Sequence, residues 1–202
     1  MPLLAIYHYL YAMSKPRYTQ LVESLPASVP FVGPETQERA RGGAFSARLG
    51  ANENVFGPSP KAIEAMQAAA SDIWKYGDPT SFDLHAALAD HHAIAPENIV
   101  VGEGIDGLLG YLVRMLIGPG DKVVTSDGAY PTFNYYVAGF GGTLLKTPYA
   151  GDHEDPNALL DLADKQKAKL VYLANPDNPM GTWHEADVIE SMIAKVPEGC
   201  LL

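Results

Sequence analysis

The stretch "YLANPDNPMGTW" (residues 172–183) overlaps and extends the apolar run Leu170-Val171-Tyr172-Leu173-Ala174. A short apolar run that stops at turn residues reads as a buried strand. Two Asn-Pro pairs, Asp177, Met180 and Gly181 then fill residues 175–181. Proline fixes φ and removes a donor, while asparagine and aspartate bond nearby backbone, so the segment is a stiff corner. Pro179 and Gly181 fix the backbone around Asn178, whose amide is able to donate to an oxygen on a ring ligand. Taken alone, a turn asparagine bonding its own backbone explains it better.

Working upstream, strands alternate with helices. The residues predict strands at 99–101, 122–125, 142–146 and 168–174, and a further strand opening at 199–202. Helices are predicted at 17–24, 59–70, from Ser81, and at 105–117, 131–139, 156–167 and 186–195. Ser59-Pro60 is a helix start, and Thr182 with Glu185 fits a capping box. This order implies an α/β fold, a mostly parallel sheet with helices on both faces. Residues 1–50 read as an N-terminal arm and 51–202 as the large domain. In such sheets ligands bind outside the carboxyl ends of the strands.

Two other strand ends attract attention. "VGEGIDGLL" (101–109) places Gly102, Gly104 and Gly107 between a strand and a helix, a ready seat for phosphate. The same string satisfies G-x-G-x-x-G, and Asp127 lies twenty residues past Gly107. A dinucleotide-binding domain taking NAD(P) is therefore a rival reading. "SDGAYPTFNYY" (126–136) offers Tyr130 at a strand mouth, placed to stack on a planar ring. Phe133, Tyr135 and Tyr136 read as core packing. A phosphate seat, a stacking ring and an amide donor suit a flat phosphorylated heteroaromatic, and pyridoxal phosphate fits.

Composition narrows the class. The 202 residues are 47% hydrophobic with a formal net charge of −10. That charge argues against nucleic acid and anionic membrane as partners. The lone cysteine, Cys200, gives no disulfide framework and suits a cytoplasmic location. The apolar start "MPLLAIYHYLYAM" is too short to span a bilayer and lacks signal-peptide flanks; Met13 is an alternative start. No metal site is expected from the histidines, with His91 and His92 pointing to different sides of a helix. Trp74 and Trp183 read as packing, and "GDHEDP" (151–156) as a solvated acidic loop.

The segments "LGANENVFGPSPKAIEA" (49–65), "KYGDPTSFDLHAALADHH" (75–92), "NIVVGEGIDGLLGYLVRMLIGPGDKVV" (98–124), "AYPTF" (129–133) and "NPDNPMGT" (175–182) stand in one order. In that order the chain resembles the fold-type-I pyridoxal-phosphate aminotransferases of class I/II, nearest to the histidinol-phosphate aminotransferase-like branch. The resemblance implies that Gly104, Ile105 and Asp106 hold the cofactor phosphate. It implies that Tyr130 stacks on the ring and that Asn178 bonds its phenolic oxygen. Tyr76 would reach the phosphate site of a neighbouring subunit in a homodimer. Ala51 and Asn52 would close over an amino-acid or 2-oxo-acid substrate. Met180 stands where the family usually has Thr, Gly77-Asp78 replaces Pro-Asp or Pro-Glu, and Gly107 replaces a frequent Glu. The family's ring-pairing aspartate and Schiff-base lysine would both fall beyond Leu202. The lysines present do not replace it: Lys146 ends a strand away from the site, and Lys165, Lys167 and Lys169 read as a solvated helix end. The chain alone is therefore expected to be inactive and to aggregate or fail to fold. A non-catalytic fragment completed by another chain is the second rival.

Overall fold

The computed structural model describes residues 17–27, 31–50 and 53–202. They form two compact units, Met1–Ser28 with Leu112–Leu202, and Val29–Tyr111. The division falls inside one helix, α5 (Gly104–Leu116).

The first unit holds helix α1 (Gln20–Ser24) and the sheet. Its strands are β1 (Lys122–Ser126), β2 (Thr143–Thr147) and β3 (Leu170–Val171), and its other helices are α6 (Pro131–Gly139), α7 (Pro156–Gln166) and α8 (Ala186–Ala194). The sheet is parallel in the order β2-β1-β3. Leu201 bridges Leu170 in parallel, so the segment after α8 joins the same sheet. β1 is central, and Val123 to Ser126 are all buried, as a strand covered on both faces must be.

Strand side chains alternate between faces. Val124 and Val171 pack with Leu159, Leu160 and Ala163 of α7 and Met192 of α8. Val123 and Tyr172 therefore point to the opposite face. There Phe133 of α6 stacks on Tyr172, ring centroids 4.4 Å apart and 19° from coplanar. Packing is tight at the start of β2. A Cβ on Gly142 would lie 2.5 Å from Ile117 and 2.8 Å from Val137, so only glycine fits.

The second unit holds α2 (Pro34–Arg41), α3 (Pro60–Ala69), α4 (Phe82–His92) and the first turns of α5 (Gly104–Leu116). Ser59 caps α3 by accepting from the Ala62 amide. Asp78 anchors the start of α4, accepting from the amides of Phe82 and Thr80 and from the Thr80 hydroxyl. These bonds hold its carboxyl below the ordinary range. Ser81 opens α4 without a side-chain cap bond.

Several expectations are corrected. Residues 99–101 form no strand, and Val100 is exposed, because no ladder engages this segment among the described residues. The strand expected over 168–174 shrinks to β3; Tyr172 gives one bond to Val124, and the chain then turns toward the corner. The capping box at α8 does not form. Glu185 is the N-cap residue by position, and the Thr182 hydroxyl instead donates to the Asp152 carbonyl. Trp74, Trp183 and Tyr135 are exposed, not packed. The rings of His91 and His92 meet edge-on, with centroids 4.8 Å apart. Helix α2 was not foreseen. It buries none of its residues, and Arg48 secures it by pairing with Glu35 and Glu38, both at 2.6 Å.

Candidate functional site

The connections set where a ligand would sit. From β1 the chain passes through α6 to β2 on one side. It then crosses back through α7 to β3 on the far side of β1. The connection out of β3 continues away from β1, toward the segment at Leu201. Chains leaving β1 and β3 thus diverge, and the crevice outside a sheet opens where neighbouring connections diverge. Tyr130 follows β1 and Asn178 follows β3. The fold therefore brings these two expected site residues to the same end of adjacent strands.

Tyr130 is half-buried and precedes Pro131, the first residue of α6. Proline suits a first helical position, and Tyr130 stands just ahead of it as the N-cap residue, with φ −46° and ψ 115°. The corner itself is closed by side chains. Asn175 Nδ2 donates to the His184 carbonyl at 3.1 Å, and the His184 amide donates to Asn175 Oδ1 at 2.8 Å. Inside this rung the Asp177 amide donates to the Thr182 carbonyl, and the Gly181 amide to the Asp177 carbonyl. Gly181 has φ 74°, a left-handed conformation that glycine adopts at little cost. The peptides before Pro176 and Pro179 are both cis. At the tip, the Asn178 amide makes no side-chain hydrogen bond among the described residues, and the residue is half-buried.

Beneath the corner lies a polar cluster that composition did not reveal. Glu154, expected in a solvated loop, is 2% exposed. Ser126 Oγ donates to Glu154 Oε2 at 2.5 Å, and the Ala174 amide donates to Oε1 at 2.9 Å. One carboxyl group thus joins the ends of β1 and of the β3 segment. Asp177 is also buried; its Oδ2 accepts from the Tyr149 hydroxyl at 2.9 Å, and its Oδ1 has no partner. His184 Nε2 lies 2.9 Å from the Glu154 carbonyl, which only accepts, so that nitrogen carries the proton. Burial raises the Tyr149 phenol well above its ordinary range, and its bond to Asp177 adds to this. Burial likewise raises the Glu154 carboxyl, Asp177 adding to the effect, while Ser126, Ala174 and His184 oppose it.

A stability prediction follows. A group that binds its proton more tightly when folded stabilises the fold below its unfolded pKa. That stabilisation is lost as pH rises through the folded value. Glu154→Gln fixes the neutral form, so the wild type should lose stability relative to the variant as pH rises above the ordinary carboxylate range and through the raised value of Glu154. Urea midpoints across that range measure it; parallel curves would contradict it.

The other expected residues lie in the second unit, save two. Gly104, Ile105 and Asp106 form the first turn of α5, Gly104 with φ 72°. An added Cβ at Gly104 meets nothing within 4 Å, so backbone conformation alone selects glycine there. Tyr76 is fully exposed in the turn before α4. Ala51 and Asn52 lie outside the described residues. Asp127, the acid of the dinucleotide reading, pairs with Lys146 Nζ at 3.0 Å. That fingerprint also needs a strand ahead of its glycines, and residues 99–101 are not one. Lys167 pairs with Asp164 and Lys169 with Asp121, both exposed pairs.

Comparison with known proteins gives the family. The family model described as aminotransferase class I and II matches residues 47–202. A histidinol-phosphate aminotransferase of Anaeromyxobacter sp. (strain Fw109-5) is 36% identical over 182 residues, covering 90% of this chain and 50% of that relative. The crystal structure of histidinol-phosphate aminotransferase from Sinorhizobium meliloti, in complex with pyridoxal-5'-phosphate, superposes with a TM-score of 0.89 at 52% identity. It covers 94% of this chain and 50% of that one. An aspartate aminotransferase mutant from Thermus thermophilus shares the fold, with a TM-score of 0.73 at 22% identity over 91% of this chain and 51% of its own. The chain spans about half the length of the curated relatives it matches. Among the described residues no helix is long and apolar enough to cross a membrane, and no cluster of metal-ligating side chains occurs. The chain belongs to the class I and II aminotransferase family.

Proposed function

We propose that this chain supplies part of the cofactor seat of a pyridoxal-phosphate-dependent aminotransferase whose substrates are histidinol phosphate and its imidazole ketone, or a related amino acid and 2-oxo acid. The observation that carries the reading is the placement of Tyr130 and Asn178 at diverging strand ends, with the Asn178 amide unspent. These residues fit the cofactor. Tyr130 offers a ring at the strand mouth for stacking, and Asn178 offers a donor to a phenolic oxygen. Gly104, Ile105 and Asp106 are proposed to hold the phosphate, since a helix N-terminus presents free amides and a favourable dipole. Tyr76 is proposed to reach the phosphate of a partner subunit in a homodimer, and its full exposure supports this. Ala51 and Asn52 are proposed to contact substrate.

When bound, the cofactor supplies an electron sink for the bond changes at the amino acid. This chain's own residues would bind and orient it. We also propose a cytoplasmic enzyme, with residues 1–50 as an arm and 51–202 within the large domain.

The test is a titration of the full-length protein with pyridoxal phosphate and, separately, with NAD, followed by absorbance. Saturable uptake of pyridoxal phosphate, and a spectral change on adding histidinol phosphate, is the expected result. Uptake of NAD alone would overturn the reading. A spectral change with other amino acids but none with histidinol phosphate would move the substrate and keep the cofactor.

A further inference from the structure

Residues 149–154 hold the segment 174–184 at four points. The Tyr149 hydroxyl donates to Asp177 Oδ2, and the Asp152 carbonyl accepts from Thr182 Oγ1. The Glu154 carbonyl accepts from His184 Nε2, and its carboxyl takes the Ala174 amide. The same carboxyl takes Ser126 Oγ at the end of β1. Asn178 is thus the tip of a loop whose base, inner rung and flank are all tied to one short segment, while its own side chain is tied to nothing among the described residues.

The strand ends would otherwise be free to splay. β3 has two residues and gives up its ladder at Tyr172, so backbone pairing alone does not hold Ala174 to Asn178 in place. A buried carboxyl bridging Ser126 and Ala174 sets the spacing between the exits of β1 and β3. Buried hydrogen-bonded carboxyls are costly to leave unmatched, so the bridge is stiff. We propose that Glu154 is a positioning residue: it fixes the gap between the strand ends and so holds the Asn178 amide at the reach the cofactor ring requires. This rests on the cofactor reading above.

The test is a double-mutant cycle in the full-length protein, read as affinity for pyridoxal phosphate. Glu154→Ala should weaken binding about tenfold, the order of one buried hydrogen bond to a charged group. In an Asn178→Ala background the same change should weaken it less than about twofold, because the amide it positions is gone. Glu154→Gln, whose Oε1 keeps the Ala174 bond while its Nε2 donates to Ser126 Oγ, should restore affinity to within about threefold of wild type. Equal effects of Glu154→Ala in both backgrounds would overturn the proposal, as would unchanged affinity. If Glu154→Ala fails to fold, Ser126→Ala removes one arm of the bridge and takes its place in the cycle.

A second readout needs no cofactor. In the cofactor-free protein, Glu154→Ala should speed amide hydrogen exchange at Asp177 and Gly181, whose bonds close the corner. Unchanged exchange there would overturn the bridging role. If wild type takes up no pyridoxal phosphate, the cofactor reading fails while exchange still decides whether Glu154 holds the corner.

Discussion

Phe133→Ala is expected to destabilise the protein by about 3–5 kcal/mol, the range for deleting a buried aromatic ring. Phe133 is 1% exposed, and its ring stacks on Tyr172. The pair ties α6, which begins beside Tyr130, to the segment that leads from β3 into the corner. Its loss therefore removes two contributions. One is burial of the ring with the cavity left behind. The other is the aromatic pairing, worth about 0.5–1.5 kcal/mol beyond area. Phe133→Leu refills most of the volume and should cost less than half as much. Urea denaturation of the full-length protein measures both. A loss below about 1 kcal/mol for the alanine variant would mean the site collapses around the gap.

Tyr172 illustrates how far the sequence could be read. Its run was legible as a buried strand from apolar composition, and the stop after Ala174 from the Asn-Pro pairs. What composition could not supply was the ladder length, since that depends on which backbone groups of β1 face it. The α/β alternation was legible for the same reason: α5, α7 and α8 carry apolar residues at helical spacing, with buried Val113, Leu159 and Met192 on their inner faces. Helix α2 carries no such spacing, and the ion pairs that secure it come from Arg48, beyond its own end.

The site divides in the same way. Asn178 and Tyr130 stand out in the sequence as candidates because each follows a strand and neighbours a proline. Glu154 does not. In "GDHEDP" three acids surround a histidine, and composition alone assigns such a run to water. Its burial depends on Ser126 and Ala174, 28 and 20 residues away. The only local hint was the histidine-acid run preceding Pro156 at the start of α7. Asn175 was equally silent, since nothing in the residue pair Asn175 and Asn178 says which is structural. The structure separates them by their bonds.

That separation predicts opposite phenotypes three residues apart. Asn178→Ala should leave stability of the cofactor-free protein within about 0.5 kcal/mol of wild type, because its amide spends no bond among the described residues. Its affinity for pyridoxal phosphate should fall about 10- to 100-fold, the cost of removing one donor to a charged oxygen. Asn178→Asp should bind no better, since a carboxylate offers no donor and repels the phenolate. Asn175→Ala should behave the other way in the cofactor-free protein. Its amide exchanges two bonds with His184, and their loss should cost about 1–3 kcal/mol and open the corner. Affinity then falls only through the loosened loop, so lowering temperature or adding a stabilising osmolyte should recover much of it. The same treatment should recover nothing in Asn178→Ala, whose loop is intact and whose donor is missing. Thermal melts and cofactor titrations on the two variants decide the matter. A lowered melt with unchanged affinity for Asn178→Ala would exchange the roles of the two asparagines.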